Sequence, residues 1–206
     1  MSRPLRLMVY DRTCRGRRFL PGLSHSWWAG AYLYRGLGRI DAFFGASTWA
    51  EALDWLAEVE RDRLISEIQY WGHGKWGLAR IDREPLDRQA LAGHHPHRAR
   101  LEAVRDRMEP DALWWFRTCE TFGAKPGQDF ARAFTDFFGG RGAGHTFIIG
   151  PWQSGLHLLR AGDEPHWSQT EGLREGAPEN PRRAYWSKPW SPNTITCFHG
   201  KVPEGF

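Results

Sequence analysis

Cysteine is scarce in this chain. Cys14, Cys119 and Cys197 are an odd set in 206 residues and offer no paired disulfide framework. The pattern points to free thiols in a reducing compartment, so the expected location is cytoplasmic. Long apolar runs are also missing. No stretch approaches the length of a membrane-spanning helix, and no membrane partner is expected. The first apolar run, at Met1 to Tyr10, is short and broken by Arg3 and Arg6, unlike the core of a secretory signal. Blocks of basic residues are absent as well. The net charge is +4, but acidic and basic residues alternate along the chain, which reads as a solvated surface without a nucleic-acid partner. There is no Gly-x-Ser-x-Gly elbow, which argues against a serine α/β-hydrolase.

What the chain does hold is enough apolar material for one good core. Apolar residues make up 41% of it, including twelve tryptophans, and the length suits a single α/β domain. Short apolar runs alternate with amphipathic stretches. Strands are expected at Leu5 to Tyr10, Ile40 to Phe44, Leu64 to Trp71, Ala112 to Phe116 and Gly144 to Ile149. Helices are expected at Ser24 to Tyr34, from the capping box Thr48-Trp49-Ala50-Glu51, at His97 to Met108 and at Gly127 to Phe138. Loops should fill the region around Gly77 and Pro85, and a flexible turn should occupy Gly139 to Gly144. This βα alternation predicts a mostly parallel sheet in a three-layer α/β/α domain over residues 1–150. Residues 151–206, punctuated by Pro, Gly, Ser and Trp, read as an extension packed on the same domain, with a late strand at Thr194 to Phe198.

Parallel sheets gather functional groups at the carboxyl ends of their strands. Two candidates occupy such ends here. His73 lies in Tyr70-Trp71-Gly72-His73-Gly74, after the third strand. Cys119 lies in Phe116-Arg117-Thr118-Cys119-Glu120-Thr121-Phe122-Gly123, after the fourth. Imidazole and thiol on neighbouring strand ends are the elements of a nucleophile and its base. Each also has a plainer reading: a hydrogen-bonded structural histidine and a small buried hydrophobe.

These two segments resemble the caspase-like superfamily of cysteine peptidases, particularly its bacterial CHAT and metacaspase-like members. There a His-Gly ends one strand and a Cys ends the next. Cys119-Glu120-Thr121 is similar to the Cys-Glu-Ser of legumains, while the caspase Gln-Ala-Cys-x-Gly is absent. The resemblance spans about Leu5 to Gly150 and implies a cysteine endopeptidase acting on a protein or peptide substrate, in a setting of bacterial regulated proteolysis or defence. It implies Cys119 as nucleophile, His73 as general base and acid, and the backbone N–H groups of Gly74 and Cys119 as the oxyanion hole. It places the pocket for the residue before the cut near Asp11, Arg12 and Glu120. Asp11 or Glu120 would suit a basic side chain there, and Arg12 an acidic one. No cofactor is implied. Two other readings stand beside it: an inactive caspase-like module that binds a protein partner, and a flavodoxin-like domain in which His73 and Cys119 are incidental.

The remaining motifs point to no further chemistry. His94-His95-Pro96-His97 lacks a regular ligand register and reads as a solvated loop, so no metal is expected. Gly139-Gly140-Arg141-Gly142-Ala143-Gly144 precedes a strand, which is the wrong context for a phosphate loop.

Overall fold

The computed structural model describes residues 3–17 and 20–206. The chain opens with β1 (Leu5–Asp11), a small hairpin of β2 (Gly16–Arg17) and β3 (Leu20–Pro21), α1 (Leu23–Gly36), β4 (Ala42–Ala46) and α2 (Trp49–Glu58). Next come β5 (Ile65–Trp71), β6 (His73–Lys75), β7 (Leu78–Ile81), β8 (Glu84–Asp87), α3 (Arg98–Arg105), β9 (Met108–Arg117) and α4 (Ala124–Phe138). The last part holds β10 (Arg141–His145), β11 (Trp152–Gln153), β12 (Leu156–Arg160), β13 (Leu173–Ala177), β14 (Asn180–Ala184) and β15 (Ile195–Thr196).

Six of these strands form one sheet in the order β12-β10-β9-β5-β1-β4, parallel throughout except for β12. From β1 the chain moves outward to β4, then crosses back to β5 on the other side. The direction of winding therefore reverses between β1 and β5, where open α/β sheets leave a crevice at the strands' carboxyl ends.

Alternation along the strands makes three layers. Leu7, Val9, Trp114 and Phe116 face α2, α3 and α4 in the main core. Met8, Tyr10 and Trp71 face α1, against Ala31 and Tyr34. Leu113 and Trp115 face the same side as α1, but no helix covers them. Ile195, Val202 and Phe206 of the chain's last segment do so instead. The predicted α/β sandwich is present, with an irregular tail replacing a helix on half of one face.

Local chemistry accounts for the element ends. At α2 the Thr48 hydroxyl accepts from Glu51 N–H, and the Glu51 carboxylate reaches back to Ser47 N–H at 2.9 Å. At the end of α4, Gly139 adopts the left-handed conformation that terminates a helix.

Four expectations need correction. The region around Gly77 and Pro85 is a three-stranded antiparallel sheet, β6-β7-β8. Gly77 and Asp82, both at positive φ, make its turns, and the short strands between carry too few residues for alternation to stand out. The fifth strand begins at Arg141 instead of Gly144. Its glycines suit a strand laid against Phe122, whose ring a Cβ on Gly144 would meet at 2.6 Å. His97 is not a solvated loop residue. It is buried at the start of α3 and pairs with Glu84 Oε1 at 2.6 Å, because β8 carries Glu84 to it. Finally, the sheet does not stop at residue 150, since β12 forms its edge.

Candidate active site

The site is built from two matched strand exits. Trp71 is the register partner of Arg117 in the parallel pair β5-β9, so His73 and Cys119 each lie two residues beyond the same level of the sheet. Glycine on both sides of His73 lets that exit pack closely. A Cβ on Gly72 would come within 2.2 Å of the Tyr70 hydroxyl. A Cβ on Gly74 would meet Thr121 Oγ1 at 2.2 Å and Thr118 Cβ at 2.7 Å. The His73-Gly74 backbone is thus pressed directly onto the turn that presents Cys119. Within that turn the Thr118 and Thr121 hydroxyls share a hydrogen bond of 2.5 Å, and Gly77 N–H donates to Thr121 O.

The His73 ring and the Cys119 thiol share no hydrogen bond among the described residues. The Cys119 thiol donates to Ile149 O across 3.9 Å. His73 is exposed and rests edge-on against Trp27 of α1, with ring centroids 5.6 Å apart. Burial lifts the Cys119 thiol to a pKa of about 11, and the carboxylate of Glu120 pushes the same way.

Glu120 is a strained neighbour. Its backbone lies at φ 40°, held by Glu120 N–H donating to Phe147 O and Gly123 N–H donating to Glu120 O. The side chain is buried, and its Oε2 has no hydrogen-bond partner among the described residues. Burial raises its pKa to about 7, against the opposing pull of the Lys75 ammonium on β6.

The other expected pocket residues divide. Asp11 is fully buried, and its carboxylate is occupied by Thr13 N–H and Oγ1, the Cys14 thiol and Asp82 N–H. It ties the loop after β1 to the turn between β7 and β8. Arg12 points outward, donating to Ser47 Oγ and pairing with Glu51 at 3.2 Å. It lines a cavity of about 320 Å³ with Tyr10, Arg15, Ser24, His25 and Trp28. This cavity lies by the first turns of α1, next to the Trp27 that supports His73.

Several contributors carry no local sequence signal. Arg117 is fully enclosed, its guanidinium stacked near the rings of Trp71, Trp115 and Tyr34. It donates to Gln153 Oε1, Tyr34 Oη and the carbonyls of Cys197 and His199. The tail also walls the thiol side. Ile148 bridges Trp186 in parallel, with Ile148 N–H donating to Tyr185 O and Ser187 N–H to Ile148 O. This holds the Ile149 carbonyl against Cys119. Trp186 and Trp190 are left exposed on the outer side.

No group of three or more His, Cys, Asp or Glu side chains is placed to hold a metal among the described residues. No helix is long and apolar enough to cross a membrane among them. Searches against protein-family models, curated proteins and solved structures give no significant match to this chain.

Proposed function

We propose that this chain is a cysteine endopeptidase of caspase-like architecture, with Cys119 as nucleophile and His73 as general base and acid. The observation that carries this reading is the matched exit of the two residues from neighbouring parallel strands, beside the point where the winding of the sheet reverses. His73 is exposed, and its ring rests edge-on against Trp27, which leaves the imidazole open to solvent.

In the reaction, the Cys119 proton passes to the imidazole as sulfur bonds to the peptide carbonyl carbon. The peptide C–N bond then breaks, and the imidazolium gives its proton to the departing amine. Water, deprotonated by His73, hydrolyses the thioester, releasing the acid and restoring the thiol. The N–H groups of Gly74 and Cys119 stabilise the oxyanion, and the missing side chain of Gly74 lets its backbone sit directly against the turn that carries Cys119.

A second reading is a non-catalytic module that binds a protein partner. It is favoured by the raised pKa of the thiol and its bond to Ile149 O instead of an imidazole. Alkylation separates the two. Under the peptidase reading, iodoacetamide at neutral pH labels Cys119 faster than Cys14 and Cys197, and His73→Ala abolishes the difference. Equal labelling of all three cysteines, unchanged in His73→Ala, supports the binding module.

A further inference from the structure

One cavity lies away from His73 and Cys119. It has a volume of about 670 Å³ and is lined by Arg6, Arg39, Thr196, Phe198, His199, Gly200, Lys201 and Pro203. It opens toward the amino end of β1, where the tail passes over the loop that follows α1. Three cations line it, and no carboxylate does among the described residues. Asp41 accepts from Arg6 N–H at 2.8 Å and pairs with both Arg6 and Arg3, and Glu67, the register partner of Arg6 on β5, also feels the Arg6 charge.

Two of these cations are held in place before any ligand arrives. Arg6 is fixed by Asp41 and by donating to Gly38 O at 2.7 Å. Arg39 lies over the Tyr34 ring, 5.0 Å from its centroid, and donates to Phe198 O. Gly200 allows this approach, since a Cβ there would meet Arg39 Cδ at 2.5 Å. Lys201 makes no ion pair among the described residues and is exposed. Beside the cations stands Phe198, 62% exposed, a large ring left uncovered next to Pro203. Fixed guanidinium groups, a free ammonium and an open aromatic face are complementary to a ligand carrying phosphates and a planar ring.

We propose that this cavity is a binding site for a nucleotide, with its phosphates on Arg6, Arg39 and Lys201 and its base against Phe198. The site is independent of the peptidase reading.

The test is calorimetric titration of the full chain with ATP, inorganic pyrophosphate and adenosine at low salt, where phosphate contacts are least screened. ATP is expected to saturate with a dissociation constant below about 1 mM. Lys201→Glu should weaken it about tenfold or more, and Phe198→Ala about fivefold or more, a range set by one lost ion pair or stacking contact. Both side chains are exposed, so the melting temperatures of these variants should match the wild type. Arg182→Glu, a charge reversal outside the cavity, should leave binding unchanged. Failure of ATP to saturate overturns the site. Binding weakened as much by Arg182→Glu as by Lys201→Glu overturns its location. Pyrophosphate binding as tightly as ATP, with Phe198→Ala neutral, overturns the nucleotide assignment.

Discussion

At the scale of single residues, the most consequential neighbour of Cys119 is Glu120. Its buried carboxyl has a pKa of about 7, and when ionised it opposes a thiolate beside it. Glu120→Gln keeps the shape and removes the charge. It is expected to speed alkylation of Cys119 about threefold or more above pH ~7, with little change below pH ~6. Parallel pH profiles for the two proteins would contradict this. The same group has a sign for stability. Its folded pKa lies above the unfolded carboxylate value, so its contribution is fully present at acidic pH and is lost as pH rises through about 7. The strand-end positions of His73 and Cys119 were legible because each follows a short apolar run, ended by Gly72 before His73 and by Arg117-Thr118 before Cys119. Arg117 was not, because the acceptors that hold it come from α1, residue 153 and the last ten residues, and nothing local announces them. Asp11 read as a pocket residue, yet its oxygens are committed to the backbone and side chains of its own loop and to Asp82 N–H.

At the scale of elements, the site depends on how closely β6 lies against the turn after β9. Gly74→Ala places a methyl group where Thr121 Oγ1 and Thr118 Cβ already are, and overpacking of this kind costs about 1–3 kcal/mol. For a chain of this size that lowers the melting temperature by roughly 2–10 °C. Gly36 at the end of α1 is the contrast, since a Cβ there meets nothing within 4 Å. Gly36→Ala is expected to leave the melting temperature equal or slightly higher, because alanine gains about 1 kcal/mol in helix propensity. Equal effects of the two substitutions in a thermal melt would argue against the tight contact at Gly74. Long periodic elements were readable: α2 announced itself through Thr48 and Glu51, and β9 through its run of large apolar residues. The β6-β7-β8 sheet was not, because strands of three or four residues carry too little alternation. The strand Arg141–His145 looked like a turn because its glycines answer a tertiary demand, the ring of Phe122.

At the scale of the whole molecule, the C-terminal segment completes the fold. It covers Leu113 and Trp115 where a helix would otherwise lie, and Arg117 holds it through the carbonyls of Cys197 and His199. Arg117→Met keeps much of the volume but leaves buried acceptors unpaired, at a cost of about 1–3 kcal/mol for each one left without a donor. The expected outcome is faster proteolysis and hydrogen exchange across residues 195–206 before the sheet itself opens. Unchanged protection there would show that the apolar contacts of Ile195, Val202 and Phe206 hold the tail alone. The composition shift after residue 150 was legible as a change of style, but β12 and the Arg117 clamp make both sides of it one structural unit. The peptidase reading requires that a peptide bond be broken at the strand ends that carry His73 and Cys119. The most direct measurement is cleavage of a diverse peptide library by the wild type, Cys119→Ala and His73→Ala. The peptidase reading predicts defined cuts by the wild type that vanish in both variants while their melting temperatures stay close to its own. A folded wild type that cuts nothing, or cuts that persist in Cys119→Ala, would contradict it.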